Sequence, residues 1–258
     1  MIDLHNHLLP NLDDGAQNFE ESVQLALKLV DEGVTHAIVT PHHMNGRYVN
    51  PAGKINKLTA QFQEHLDQAQ VPLQVFPGQE VRIHSHLIES IREGDIQFLD
   101  KNKSYLLLEF PTAHIPDYTE DVIYDLKHLG ITPIIAHPER NHAIQKNPHL
   151  LFDLINQGCM SQVTAASLAG VFGSDVKKQS LEMLDHHLAH LVASDMHDLD
   201  FRQAYLQEAF IVLEEEMGRD CVLQIQNYAK HIINGDKIEA SPAQAIFKKK
   251  RRRWFGLL

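Results

Sequence analysis

Apolar positions along this chain switch between two rhythms. In residues 20–32, Val23, Leu25, Ala26, Leu29 and Val30 recur at helical spacing, and Gly33 stands where a helix would stop. HAIVT at 36–40 follows at once, an apolar run of strand length. The alternation continues almost from end to end. Further helices are predicted at 55–70, 86–92, 118–129, 148–157, 176–187, 203–217 and 219–234. Further strands are predicted at 1–4, 73–77, 105–110, 132–136, 160–163 and 191–194, with a loop from 41 to about 53. Strand–helix–strand repeated about seven times predicts a parallel sheet with crossover helices. No Pro/Gly/Ser-rich linker interrupts this run, so one closed or nearly closed barrel is expected over residues 1–238, with 239–258 as a flexible tail. Parallel barrels carry their sites at the C-terminal ends of the strands.

Composition narrows the class. At 258 residues, 43% hydrophobic and 22% charged, the chain has the make-up of an ordinary globular protein. No apolar run reaches transmembrane length, and residues 1–15 lack the basic start and apolar centre of a signal peptide. Cys159 and Cys221 lie far apart and form no ligand pair, so two free thiols in a reducing cytoplasm are expected. The net charge of −11 conceals an asymmetry. All 34 Asp and Glu fall at or before Glu239, whereas residues 248–253 place six positive charges near the end. Without those six, 17 basic residues face 34 acidic ones. Such a body repels nucleic acid, which argues against binding through a broad basic face. The 18 histidines point toward metal chemistry instead.

Chemistry-bearing residues collect where the predicted strands end. DLHNHLLPNLDDGA places His5 and His7 on one face by period-two geometry, with Asp13 and Asp14 on the following turn. TPHH brings His42 and His43, and PGQE brings Glu80. Glu109 lies inside the apolar run LLLEF. AHPER supplies His137, Glu139 and Arg140, and SDMH supplies Asp195 and His197. Ionisable groups beside buried strands are costly unless paired or bound to metal. His5, His7, His42, His137 and His197 with Asp14, Glu80, Glu109 and Asp195 are therefore candidate metal ligands. One zinc-like ion takes about four protein ligands, so this set suits two or three ions, with carboxylates such as Glu80 bridging. Nitrogen and oxygen donors without thiolate favour manganese, iron or zinc over calcium, with magnesium also open. Paired divalent ions acidify water and hold both oxygens of an in-line displacement, which is what phosphate-ester hydrolysis requires. Arg140 suits phosphate as a bidentate fork, and Arg47 is a second basic group on the same rim.

In order and spacing, MIDLHNHLLPNLDDGA, TPHHMNGRY, PGQEVRI, LLLEFP, IIAHPERN and VASDMHDLDFR resemble the PHP (polymerase and histidinol phosphatase) superfamily. Within it they are similar to the Gram-positive capsule-type tyrosine phosphatases of the CpsB/YwqE type, over residues 1 to about 202. The resemblance implies an α/β fold, a distorted seven-stranded parallel β/α barrel, three divalent metal ions with manganese foremost, and hydrolysis of phosphotyrosine. It also implies ligand sets: His5, His7, Glu80 and Asp195 for one ion; Glu80, Glu109 and His137 for a second; Asp14, His42 and His197 for a third. Arg140 matches the family's phosphate-binding arginine, and Arg47, His43 and Arg202 are further candidates for substrate contact. The implied substrate is a phosphotyrosine protein, a membrane-associated bacterial tyrosine kinase that controls capsule or exopolysaccharide synthesis.

Cysteine phosphatases need Cys-x5-Arg, yet the sixth residue after Cys159 is Ala165 and after Cys221 it is Asn227. Phosphatase chemistry is thereby left to metal. A phenolate leaving group, with a pKa near 10, needs little help from a general acid. Two other functions fit the same residues: a phosphatase for a small metabolite such as histidinol phosphate, and a non-catalytic module that restrains the kinase by contact.

Other polar residues have plainer readings. Spacing does not separate Asp13 from Asp14; the first is read as the turn residue and the second as the ligand. His43 fits a loop residue or a group behind the ligands, and His84 and His86 fit solvent or a pocket wall. His186, His187 and His190 sit at a helix end, where a cation is favourable. Glu139 is read as orienting its neighbours or facing water, and Asp3 as structural. KKKRRRWFGLL joins six cations to Trp254, Phe255, Leu257 and Leu258. That combination suits reversible contact with anionic membrane more than a merely solvated end, and docking on the kinase is another use.

Overall fold

Breaks at Pro41 and Gly78, just past two of the predicted strands, decide the shape of the sheet. The computed structural model describes residues 1–246. In chain order the elements are β1 (Ile2–Asp3), α1 (Phe19–Asp31), β2 (His36–Val39), β3 (His42–His43), α2 (Ala52–Gln68), β4 (Gln74–Pro77), β5 (Glu80–Arg82) and α3 (Leu87–Glu93). Next come β6 (Tyr105–Glu109), α4 (Thr119–His128), β7 (Thr132–Ala136), a 3₁₀ turn at Pro138–Arg140, α5 (His142–Lys146) and α6 (His149–Asn156). The chain continues with β8 (Met160–Thr164), α7 (Ala165–Ala169), α8 (Ser174–Asp185), β9 (Leu191–Ala193), α9 (Leu206–Met217) and α10 (Arg219–Asn234).

Every strand pairing is parallel. The ladders form two sheets, of order β1-β2-β4 and β3-β5-β6-β7-β8-β9. β3 follows β2 past Pro41, inside the stretch expected to be loop, and β5 follows β4 past Gly78, so at both places the chain passes from one sheet to the other. Gly78 permits the crossing because a Cβ there would lie 2.4 Å from Ile38 Cγ2. At the far seam, β1 and β9 meet through one bridge, Asn6 with Met196. The His7 amide donates to the Met196 carbonyl at 2.9 Å, and the Asp195 amide to the His5 carbonyl at 2.8 Å. The expected parallel α/β architecture is present, but the described residues form a three-stranded and a six-stranded ladder rather than a single closed one.

Alternation along the strands builds two apolar layers. Leu106, Leu108, Ile135, Val163 and Val192 face the helices in the larger core. Their neighbours Leu107, Ile134, Ala136, Met160, Leu191 and Ala193 join Leu4 and Ile38 in a second core, which Ala229 and Ile232 of α10 help to close. Burial on both faces is why these parallel strands read as continuous apolar runs. Beyond α10, residues 239–246 carry no helix or strand, yet Ala243 and Ile246 pack on the larger core and the Gln244 amide donates to the His186 carbonyl at 2.9 Å. The stretch 248–258, on which the membrane and kinase contacts were expected, lies outside the described residues. No helix among the described residues is long and apolar enough to cross a membrane.

Candidate metal centre

The loops that leave the strands are pinned before they present any ligand. Asp3, fully buried, accepts from the Ser194 amide at 2.9 Å, from Ser194 Oγ at 2.6 Å and from Asn6 Nδ2 at 3.0 Å, which ties β1 to β9. The Asn6 backbone exchanges hydrogen bonds with Thr40 after β2. His5 and His7 thereby leave β1 on one face. The DDGA turn then folds back on His7, and only glycine fits, since a Cβ on Gly15 would fall 2.1 Å from the His7 carbonyl oxygen. His137 and Asp195 have positive φ, 35° and 52°, an uncommon conformation outside glycine that Asp and His adopt more readily than most side chains.

All nine candidate ligands converge. His5 Nε2 and His7 Nε2 face each other at 3.3 Å. Each lies 3.4 Å from Asp195 Oδ1, and they lie 3.5 and 3.6 Å from Glu80 Oε2. His42 Nδ1 approaches Glu80 Oε2 at 2.6 Å and Glu109 Oε2 at 3.7 Å, while its Nε2 is 3.5 Å from Asp14 Oδ1. His137 Nε2 meets Glu80 Oε1 at 2.7 Å, and His197 Nε2 lies 3.6 Å from Asp14 Oδ1. Three sets have ligand atoms within 4.8 Å of one another: His7, Asp14, His42, His197; His5, His7, Glu80; and His42, Glu80, Glu109. These overlap the implied sets but differ in detail. His7 and His42 are each shared, and His137 contacts Glu80 without completing a set.

The donors suit cations on their own chemistry. His42 Nδ1 and Glu80 Oε2 face each other in a buried site without a well-aligned hydrogen bond, and His197 Nε2 is buried with none, an arrangement that is costly for polar atoms unless something binds them. The outer nitrogens, by contrast, are engaged. His5 Nδ1 donates to Gln162 Oε1 at 2.8 Å, His7 Nδ1 to Asp13 Oδ2 at 2.7 Å, and His197 Nδ1 to the Asp195 carbonyl at 2.9 Å. Each bond fixes a tautomer that turns a lone pair on Nε2 toward the centre.

Electrostatics point the same way. Burial opposes charge on His5 and His42, but Glu80, with Asp195 at His5 and Glu109 at His42, overcomes it and raises them to about 9 and about 10. Burial likewise opposes ionisation of Glu80 and Asp195, yet the surrounding imidazoles, and Arg140 at Asp195, hold both well below the usual carboxylate range. Glu109 moves upward through burial and repulsion from Glu80, and Arg82 grips it through two bonds of 3.0 and 2.9 Å. His197, by contrast, is pushed down to about 4 by burial and by His7. The cluster demands positive charge, and bound cations compete with protons for it.

Of the substrate candidates, Arg140 and Arg202 join the centre. Arg140 pairs with Asp195, and Arg202 reaches Asp14 at 3.1 Å and Asp195 at 3.6 Å. Arg47 and His43 have partners outside it. Arg47 is exposed and lies over the Tyr48 ring at 4.9 Å, and His43 is buried with Nδ1 accepting from the Asn50 amide at 3.1 Å. Asp13 does more than turn the chain: besides His7 it receives the His42 amide at 3.0 Å and the Gly15 amide at 3.0 Å. Glu139 orients its neighbours, accepting from the Thr164 amide and Ser167 Oγ. His86 is exposed beside Glu89 as expected. His190 is not a helix-end cation. It is buried, pushed down to about 4, and its Nδ1 accepts from the Ser161 amide at 3.2 Å. Gln162 and Arg82 were missed by sequence reasoning, although a polar residue inside MSQVT and a cation two places after Glu80 were available signals. A cavity of about 540 Å³ between the three-stranded sheet and α10 contains none of these groups, whereas a recess of about 40 Å³ borders Glu109, His137 and Arg140.

Comparison with known proteins agrees with this geometry. Tyrosine-protein phosphatase YwqE of Bacillus subtilis (strain 168) is 40% identical over 256 residues, which cover 99% of each chain. A solved structure described under YwqE from Bacillus subtilis and CpsB from Streptococcus pneumoniae, as unique metal-dependent tyrosine phosphatases, superposes with a TM-score of 0.92. It is 39% identical, and the match covers 96% of this chain and 100% of that one. A phosphotriesterase homology protein from Escherichia coli shares the fold at a TM-score of 0.59 and 12% identity, over 89% of this chain and 97% of its own. The family model for capsular polysaccharide synthesis, CpsB/CapC, matches residues 1–234, and the chain belongs to that family.

Proposed function

We propose that this chain is a metal-dependent protein-tyrosine phosphatase. The observation that carries the reading is the meeting of Glu80 Oε2 and His42 Nδ1, buried and 2.6 Å apart, amid seven further groups of ligand type. His5, His7, Glu80 and Asp195 hold one divalent ion, Glu80, Glu109 and His137 a second, and Asp14, His42 and His197 a third, with manganese the first choice. Divalent ions there supply Lewis acidity and acidify water at neutral pH. The two sheets act as one distorted seven-stranded barrel, latched where Asn6 bridges Met196.

The chain's own groups do the rest. Asp13 and Gln162 hold the protons on His7 and His5 Nδ1, so that both Nε2 atoms stay available. Arg140 and Arg202 bind phosphoryl oxygens through charge-assisted hydrogen bonds and offset the charge that builds up as the ester breaks. The departing tyrosine phenolate is stable enough to leave without a dedicated acid. The decisive experiment is turnover of a phosphotyrosine peptide after chelation and again with manganese, zinc or magnesium restored, beside turnover of histidinol phosphate. Activity that survives complete metal removal overturns the mechanism, and faster turnover of histidinol phosphate overturns the substrate.

The kinase substrate and the membrane belong to the same proposal. The family description ties the chain to capsular polysaccharide synthesis, which suits a cytoplasmic phosphatase acting on a membrane-associated tyrosine kinase. The six cations and four large apolar residues of 248–258 suit the inner face of an anionic membrane. Co-sedimentation with phosphatidylserine vesicles should be lost when 248–258 are removed and weakened by salt.

A further inference from the structure

Three neighbouring strand ends set aromatic rings beside the arginines. Arg140 follows β7, Phe172 follows β8 and α7, and Phe201 follows β9, and these strands are adjacent in the sheet. The Arg140 guanidinium lies over the Phe172 ring, 5.2 Å from its centroid. Phe172 in turn meets Phe201 edge-on, with centroids 6.0 Å apart and planes at 70°. Phe201 is 58% exposed, and the next residue is Arg202, which reaches Asp14 and Asp195.

A single exposed phenyl ring is ordinary on a protein surface, but this one is fixed in place. Asp198 Oδ1 accepts from the amides of Asp200, Phe201 and Arg202 at 2.8, 2.7 and 3.0 Å. The His197 amide donates to the Arg202 carbonyl at 2.9 Å. One clamp therefore sets Arg202 into the cluster and Phe201 at its edge, and ties both to a candidate ligand.

We propose that Phe172 and Phe201 form an aryl-recognition wall, receiving the ring of an aromatic phosphate monoester whose phosphoryl oxygens lie on Arg140 and Arg202. The inference rests on the phosphatase reading above and adds the source of its selectivity. A phosphoryl group is the same on tyrosine as on serine, so the cationic groups alone do not discriminate. Aromatic rings gain from one another at centroid separations of about 4.5–7 Å. An alkyl chain gains none of that.

The test uses the manganese-loaded full chain and two non-hydrolysable probes, phenylphosphonate and methylphosphonate, with affinities measured by calorimetry. Phenylphosphonate should bind about tenfold more tightly, which corresponds to about 1.4 kcal/mol. Phe201→Ala and Phe172→Leu should each reduce that ratio at least threefold, and Phe201→Tyr should restore it. A displaced Arg140 would weaken both probes together and leave the ratio intact, so the ratio isolates the rings. Equal binding of the two probes by the wild type, or a ratio unmoved by both substitutions, overturns the wall. A ratio that behaves as expected in a protein inert toward phosphotyrosine peptide upholds the wall and removes the phosphatase reading.

Discussion

His5 and His190 are both buried imidazoles, each with its Nδ1 engaged in a hydrogen bond, and their charge states run in opposite directions. Burial pushes His190 down to about 4, with help from His187. The same burial acts on His5, yet Glu80 and Asp195 lift it to about 9. The hydrogen bonds are reversed as well: His5 donates to Gln162, whereas His190 accepts from the Ser161 amide. Burial alone makes a neutral, structural histidine. Carboxylates gathered around the ring turn the same side chain into part of a cation-seeking cluster.

The largest break in this contrast is Glu80→Gln. It keeps the shape but removes the charge shared by His5, His42 and His137. Turnover of phosphotyrosine peptide should fall by about 10²–10³-fold, with metal content falling in parallel by elemental analysis. Unchanged turnover would dissolve the distinction between the two regions. Next comes Asp13→Asn, which weakens the grip on His7 Nδ1 and should cost roughly 10–100-fold in metal affinity, read by competition with a chelator.

His190 supplies the complementary measurement. Its folded pKa lies below the unfolded value of about 6.5, so between pH 6.5 and about 4 the unfolded chain binds the extra proton. Its contribution is therefore present at pH 7 and lost as the solution acidifies. Between pH 7 and 5 the loss should be about 2 kcal/mol, seen as the difference between wild type and His190→Asn in urea unfolding. Asparagine offers Ser161 an acceptor and takes up no proton. The smallest effect should come from Arg47→Ala, because that guanidinium is exposed and rests on Tyr48. Stability should move by less than about 0.5 kcal/mol in the same urea assay, and a large fall in turnover would assign Arg47 to substrate binding.

Long apolar runs were legible because burial on both faces leaves an unbroken signature. TPIIA at Thr132–Ala136 coincides with β7 to the residue. β3 and β5 were not, since two- and three-residue strands made of His42, His43, Glu80, Val81 and Arg82 carry no apolar run. They pair only because the neighbouring strand and the breaks at Pro41 and Gly78 position them. α7 was missed for the opposite reason: AASLA is buried almost throughout and shows no polar face. At the site, ligand types announced themselves by their place after strands. Gln162 and Arg82 act through neighbours far away in sequence, such as Glu109 for Arg82 at a separation of 27 residues. Periodicity carries no trace of such pairings.

The latch between β1 and β9 has a consequence for biosynthesis. Asp3 reaches Ser194 across a separation of 191 residues, and His5 and His7 complete the centre only beside Asp195 and His197. A nascent polypeptide still threaded through the ribosome at residue 180 has its opening histidines but lacks the closing ones. Assembly of the cluster therefore waits for Asp195 and His197 to emerge, and a product truncated before them has no completed centre with which to gather divalent cations.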